Sequence, residues 1–564
     1  MSEEHTTPTS GDQAAYEARL RRRLEILKAE LEAGNIKIVE GLQVGNSLEN
    51  VRYAPDGSID LASVDSFVRS MALGVEAFHD RRELKEAIPL AEIQNTYFTF
   101  LERNFGAYYK TMEERSLTPH DAGKALSQND ESITQLNENL DDFLETVNEF
   151  WSQTAEAAHA HIEDMHDSLK GVFGGDLFPS PYENIASKCG LYTDTIILPC
   201  PFLRSAHIFE RTTPQRRAYY LIKHALNILK YKELACCEVS PPIVVVLPDM
   251  SAIEEQEKDY FFRLGQEDAL IHAEKIFGRS FDTFESLLEY ATELETIEDV
   301  TRAVVDPKRV LFDTEWTGSL EDQLKRAAEH ETSQLLGIKN PGVILASQAL
   351  GRMSTSNELL IKARRLRGTP LIDAPTSWQF FSWKLEYDAG RAQDQDSATD
   401  LHMLRGLQDL AENEMEWLGD VPPAALIQVR KDGALAEIRS ILQQGVAELA
   451  ELNPANFHRT GDQVFDNVQN AFDEHKKSIR DLRAKGWKFA GSDVGSWFVV
   501  GSLAVTAAAT GMPVWGLAAI AADQMLDAPK LKDIPESIRK LADESTELKQ
   551  SPVGLLFKYS GERA

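Results

Sequence analysis

One stretch near the carboxyl end constrains this chain more than any other, because residues 494–522 hold no charged side chain. Charged residues make up 26% of the whole sequence, so a run of this length and composition favours a place shielded from water. About 20 apolar residues suffice to cross a bilayer core. Thr510-Gly511-Met512-Pro513 interrupts the run, however, and glycine and proline break regular structure. The pattern therefore predicts a hairpin of two helices rich in small residues.

Three environments could shield this hairpin. The first is burial inside the protein, because alanine and glycine allow close helix packing there as well as in lipid. The second is a membrane, which lysines on both flanks of the run favour since they suit anionic headgroups. The third is an interface between subunits. In the membrane interpretation, the side chains predicted to meet the lipid interface are Trp497, Phe498, Val499 and Trp515.

The charge of the chain limits its partners. The formal net charge is −31, and such a field repels nucleic-acid phosphates over most of the surface. We therefore expect a protein partner, with a membrane as an alternative, and no nucleic acid. Four cysteines, of which Cys236 and Cys237 are adjacent, form no disulfide framework and suit a reducing compartment. With no export signal, the prediction is a cytoplasmic protein, or one peripheral to the inner face of the membrane.

Helical periodicity dominates the sequence. A first helix is predicted from Ala14, where leucines recur at four- and three-residue steps as in a coiled-coil seam, and Gly34 is placed to end it. Alternation over residues 36–61 around Asp56-Gly57 predicts a small β-hairpin. Helices are then expected at 62–79 and 90–114, followed by a long helical region from 119 to about 171. The leucines of the seam are Leu20, Leu24, Leu27 and Leu31.

The middle of the chain has a different character. Two runs rich in β-branched residues, 195–198 and 243–247, predict buried strands, and Thr213-Pro214 between them predicts a helix start. Strand, helix and strand are compatible with a βαβ unit. Short extended pieces are expected at 309–312 and 369–372.

The predicted class is mainly α (α+β): helical bundles, a small mixed middle region that contains strands, and the apolar helical hairpin. The predicted domains are a disordered tail (1–13), an amino-terminal helical bundle with a small β-hairpin (14–176), a mixed α/β segment (177–250), a helical region (251–485), and the hairpin with its tail (486–564).

The most suggestive string for catalysis is VLFDTEWTG at residues 310–318. An Asp-x-Glu at a strand end can hold divalent metals, which prefer oxygen ligands and can drive phosphodiester hydrolysis. The string resembles the first motif of the DEDD-type 3′–5′ exonucleases, in which a strand ends in FDTE before a Thr-Gly turn. The resemblance implies a metal-dependent nuclease with Asp313 and Glu315 as catalytic carboxylates. The alternative is a short strand that leads into a helix capped by Ser319.

A second pattern concerns metal ligands. If residues 159–166 are helical, His159, Glu163 and His166 lie on one face. Glu163-x-x-His166 has the spacing of di-iron bundles, and Glu76-x-x-His79 repeats it on another predicted helix. A divalent metal is the cofactor that either this pattern or the nuclease motif implies. A solvated helix face is the competing interpretation.

Two further features carry charge. Lys362, Arg364, Arg365 and Arg367 form a basic patch that could bind phosphates or an acidic partner, or could be the solvated face of a helix. Asp249 follows the strand predicted at 243–247, as in PD…(D/E)xK nucleases, but the acids and the lysine after it lie in a helix-like run.

Nucleotide-loop, dinucleotide-loop, HExxH and GxSxG motifs do not occur. The sequence thus favours a non-enzymatic interaction or scaffold protein, with the metal-dependent nuclease as the alternative.

Overall fold

A computed structural model describes most of the chain up to residue 487. The described residues form two compact units, one within 1–93 and 153–164, the other within 94–152 and from 165 onwards. The residues described are 10–37, 44–55, 59–253, 255–330, 333, 337–388, 396–412, 415, 418, 421–452 and 457–487.

The first unit is built on two helices, α1 (Ser10–Glu32) and α3 (Ser66–Ala87). The predicted leucine seam is confirmed as a packing face: Leu20, Leu24 and Leu27 are buried against apolar side chains of α3. Gly34 follows α1 with a φ of +73°, the left-handed conformation that ends helices.

The hairpin predicted at 36–61 is not formed over that length. The described residues there form a short helix α2 (Val44–Glu49) and a single antiparallel bridge between Tyr53 and Ile59. A two-stranded ribbon is marginal without further strands. Here the apolar residues Leu48, Val51 and Ile59 instead pack onto the cluster between α1 and α3.

The helical region predicted from 119 is divided by caps. After α4 (Leu90–Glu114), which has the predicted bounds, come α5 (Pro119–Leu126), α6 (Asp130–Glu138) and α7 (Leu140–Glu163). The prediction fails at its end, because Lys170–Phe173 is a strand, β1.

The core of the second unit is a parallel sheet in the order β3-β2-β1-β4. Strand β1 is followed by α8 (Ile185–Cys189), β2 (Thr195–Pro199), α9 (Pro201–Arg211), α10 (Pro214–Leu229), α11 (Lys232–Ala235), β3 (Val244–Leu247) and, much later, β4 (Thr369–Leu371). Both predicted strands and the βαβ unit between them are confirmed. Thr213 caps α10 as predicted.

Every residue of the four strands is buried. Such a sheet needs partners for the backbone groups at its edges. At the β3 edge, the buried side chain of Gln94 donates to Val246 O at 3.0 Å and accepts from Val246 N at 2.9 Å. At the β4 edge, Gln408 donates to Ile372 O at 2.9 Å.

Helices make up the rest of the second unit. They are α12 (Met250–Ile253), α13 (Glu255–Phe277), α14 (Phe284–Glu293), α15 (Ile297–Ala303), α16 (Leu320–Glu329), α17 (Pro341–Arg365), α18 (Pro375–Asp388), α19 (Asp396–Glu412), α20 (Pro423–Lys431), α21 (Leu435–Leu442), α22 (Val446–Leu452) and α23 (Phe457–Trp487).

The extended piece expected at 309–312 is not a strand. Pro307–Arg309 is a 3-10 turn, and Val310 and Phe312 anchor the irregular chain after it in a helical core. Ser319 caps α16 as predicted.

The fold class is confirmed as mainly α with a small strand-containing region. The apolar run at 494–522, with Trp497, Phe498, Val499 and Trp515, lies outside the described residues. Within the described part of the chain, no helix combines the length and apolar character needed to span a bilayer.

Candidate functional site at the carboxyl edge of the sheet

The strand order creates a switch point beside β1. From β1 the chain adds β2 and then β3 on one side, and it returns to place β4 on the other side of β1. In open parallel sheets, the loops diverge at such a point and leave a crevice at the carboxyl ends of the strands, where ligands bind. In this sheet, the crevice is expected between the ends of β1 and β4.

Three of the four strands are followed by an aspartate within three residues: Asp176 after β1, Asp249 after β3 and Asp373 after β4. The remaining strand, β2, leads directly into α9, which carries Arg204 on its first turn. Because parallel strands end at the same edge, all these charges collect there.

Two glycines position Asp176. Gly174 N donates to Leu371 O at 3.1 Å, and a Cβ at this position would lie 2.7 Å from a methyl carbon of Leu359. Gly175 has a φ of +86°, which side chains other than glycine rarely tolerate. The carbonyl of Gly175 accepts from Ser377 Oγ at 3.1 Å, which ties the turn to α18.

The carboxyl group of Asp176 is poorly satisfied. Its nearest cation is Arg352 of α17, with Nη1 3.7 Å from Oδ1, and each of these side chains is 30% exposed. Its Oδ2 is buried and accepts no hydrogen bond from any described residue. Burial raises the pKa of Asp176, and the negative charge of Asp373 adds to this increase. Arg352, Ser377 and Arg204 lower the pKa but do not outweigh burial.

Arg352 has unused hydrogen-bonding capacity. Its Nη1 donates to Ser377 Oγ at 2.8 Å, whereas Nη2 and Nε have no hydrogen-bond partner among the described residues. Since guanidinium N–H groups donate in a fixed fork, this side chain can bind a further group.

The other charges at this edge are paired with one another. Asp249 is almost fully buried and lies 3.3 Å from Arg204 Nε, and it also receives a hydrogen bond from Lys362 Nζ. Arg204 Nη2 lies 3.5 Å from Glu358. Burial alone lowers the pKa of Arg204, but Asp249 and Glu358 outweigh it, so the pKa is raised.

The loop after Asp176 is fixed by Asp373 and two lysines. Asp373 Oδ2 accepts from Ser180 N at 2.9 Å, and Oδ1 lies 3.7 Å from the buried Lys188. Lys230 Nζ donates to Glu183 O at 2.9 Å, and burial lowers the pKa of Lys230 to about 8. The loop therefore holds a defined position beside the switch point.

The structure does not bring Asp313 and Glu315 to this edge. Asp313 Oδ1 accepts from Glu315 N at 2.9 Å and lies 3.4 Å from Thr376 Oγ1, so Asp313 caps its own turn. Glu315 is exposed. Neither belongs to a group of three possible metal ligands among the described residues.

The three predicted ligands near the end of α7 do not share a helix face. The helix ends at Glu163, and His166 lies in the following turn, against Arg367. The expected spacing is wrong because the chain leaves the helix to enter β1. Glu163 accepts from Arg81 Nη2 at 2.9 Å, and His159 is buried.

The other two predicted ligands are also in ion pairs. Glu76 accepts from Arg23 Nε at 2.6 Å, and His79 Nδ1 lies 2.9 Å from Glu30. His79 also belongs, with Asp80 and Glu83, to the one group of three possible ligands found among the described residues. All three members are already engaged, because Asp80 accepts from Arg22 at 3.0 Å and Glu83 pairs with His79 at 3.1 Å.

The residues of the predicted basic patch do not share one surface. Lys362 turns inward to Asp249, whereas Arg364, Arg365 and Arg367 are exposed. Arg365 lies 3.5 Å from Glu257. Lys362 and Asp249, which the sequence places in unrelated patterns, are therefore neighbours in the fold.

Sequence reasoning missed Asp176, Arg352 and Asp373. A signal was present: VFGGD, VVLPD and PLID each end an apolar run with an aspartate two or three residues on. The first run was too short to be recognised as a strand. Compared with known proteins, the chain matches no protein-family model, no curated protein and no solved structure.

Proposed function

We propose that this protein binds a small polar molecule in the crevice between the ends of β1 and β4, with Asp176 and Arg352 as the contacting side chains. The observation that carries the proposal is the carboxyl group of Asp176, which has a buried oxygen without a hydrogen-bond donor among the described residues.

A buried polar atom without a partner costs about 1–3 kcal/mol, and more when it is charged. An unsatisfied buried group calls for an explanation, of which a functional role is one, and carboxyl groups with shifted pKa values cluster at functional sites. Asp176 combines both properties with a place at the switch point of a parallel sheet. A ligand that donates to its carboxylate would offset part of this cost.

The neighbouring charges restrict the choice of contacting residues. Asp249, Arg204, Glu358 and Lys362 form ion pairs with one another, and Asp373 holds the loop. Asp176 and Arg352 are each 30% exposed, more than any of these other charges, and both have hydrogen-bonding atoms without a partner among the described residues.

The test is a thermal-shift screen of the purified full chain against nucleosides, methyl glycosides, amino acids and carboxamides, followed by calorimetric titration. We expect at least one compound to raise the Tm, and Asp176→Asn to weaken its binding at least tenfold. Asp141→Asn, which changes an exposed aspartate on α7, is the matched control and should bind as the parent does. Binding that is equal in both variants, or no binding at all, contradicts the proposal.

The hypotheses drawn from the sequence have less support. A nuclease would require Asp313 to bind metal, but its Oδ1 caps its own turn and Glu315 is exposed. Metal-dependent cleavage of DNA or RNA that disappears in Asp313→Ala would revive that hypothesis. A scaffold role, a protein partner, membrane docking through 494–522 and a cytoplasmic location stay predictions.

A further inference from the structure

The chemistry of the pair formed by Asp176 and Arg352 restricts the ligand. Arg352 Nη1 and Asp176 Oδ1 lie 3.7 Å apart, which is longer than a direct hydrogen bond. An oxygen atom about 2.8 Å from each of these atoms would fit between them, because two hydrogen bonds of that length span more than 3.7 Å. The pair is therefore spaced to be bridged by one group.

The bridging group must both donate and accept. The carboxylate of Asp176 only accepts and the guanidinium of Arg352 only donates. An ammonium group would satisfy Asp176 but would be repelled by Arg352. A phosphate would satisfy Arg352 but would be repelled by Asp176. A hydroxyl group donates to the carboxylate and accepts from the guanidinium, and because it is neutral neither residue repels it.

A second hydroxyl group next to the first would accept from the remaining donors of the guanidinium group. Arg352 has Nη2 and Nε free of hydrogen bonds to described residues. We infer, on the basis of the proposed function, that the ligand is a sugar or nucleoside whose vicinal diol is held between Asp176 and Arg352.

The experiment measures calorimetric affinities of the full chain for ribonucleosides and methyl glycosides, each paired with its deoxy analogue. The expected result is that at least one diol binds, that removing either hydroxyl weakens binding at least tenfold, and that Asp176→Asn and Arg352→Gln each abolish this preference. Arg103→Gln, an exposed arginine on α4, is the control and should keep the preference.

The outcomes separate this inference from the proposed function. A diol and its deoxy analogue that bind equally well, with both affinities dependent on Asp176, would overturn the inference and leave the proposed function standing. The same holds if only benzamide, nicotinamide or an amino acid binds in an Asp176-dependent way. If no compound of any class depends on Asp176, both are overturned.

Discussion

Two polar regions lie along helix α17 and differ in how close the partners of their acids lie. In one, Asp268 of α13 is 1% exposed and accepts from Asn357 at 2.6 Å, while Lys384 lies 2.7 Å away. In the other, Asp176 at the end of β1 is 30% exposed, yet its Oδ2 has no donor among the described residues. The more deeply buried acid thus has the closer partners, at 2.6 and 2.7 Å against 3.7 Å from Asp176 to Arg352.

The comparison shows that burial alone does not identify a functional site. Lys384 pairs with both Asp268 and Asp388, and beside this network His272 and Tyr387 share a hydrogen bond of 2.7 Å. Such a network fixes the packing of α13 against α18. At Asp176, the neighbouring groups leave hydrogen-bonding capacity unused, and a ligand can supply what is missing.

The largest expected effect comes from removing the cation of the Asp268–Lys384 pair. Lys384→Met leaves Asp268 buried without its cation, which should lower the free energy of unfolding by about 3–5 kcal/mol. Urea denaturation measures the change. Lys110→Met, which removes an exposed pair 3.7 Å from Glu114, is the control and should leave stability unchanged. Equal stability of the two variants would show that Lys384 does not stabilise the buried Asp268.

The next effect is a pH dependence of the same network. Burial lowers the pKa of His272 from 6.5 to about 4, so the unfolded chain binds more protons between these values. Stability present above pH 6.5 should therefore fall as the pH is lowered towards 4, by at most about 3 kcal/mol from this residue.

Denaturation curves at several pH values test this effect. His272→Gln should make the slope shallower between pH 6.5 and 4, and the buried His224, whose pKa is also lowered, accounts for part of the remaining slope. An unchanged slope in His272→Gln would show that His272 does not titrate in this way.

A smaller effect of opposite sign is expected at Asp176. The raised pKa of Asp176 means that the charged form is disfavoured in the folded state. The carboxylate therefore lowers the free energy of unfolding at pH values above its folded pKa, and this loss of stability disappears below the pKa of an ordinary aspartate. Asp176→Asn should raise the free energy of unfolding at pH 7 by about 1–2 kcal/mol while it weakens ligand binding. A loss of stability at pH 7 would mean that the carboxylate is well satisfied.

The smallest effect is expected from Ser377→Ala. The Ser377 hydroxyl lowers the pKa of Asp176 and accepts from Arg352 at 2.8 Å. Its removal should raise the pKa of Asp176 further, as measured by carbon NMR, and cost about 0.5–1 kcal/mol of stability. Ser382→Ala on the same helix is the control and should leave that pKa unchanged.

Local signals allowed much of the fold to be predicted. The bounds of α4, the caps Thr213 and Ser319, and the runs that became β2 and β3 are all readable because each depends on neighbouring residues. Strand β1 has four residues and follows a long helical pattern, so its periodicity was too brief to be recognised. The break after Glu163 was missed for the same reason.

By itself, the sequence determined the helical class, the packing face of α1 and several helix starts, because spacing and capping act over a few residues. Only the tertiary structure decided which charges meet. Asp176 lies far along the chain from Arg352 and Asp373, and the pairing of β1 with β4 brings Asp176 and Asp373 to one edge of the sheet. Parallel pairing joins distant segments through backbone hydrogen bonds, which carry no residue-specific signal in a single sequence.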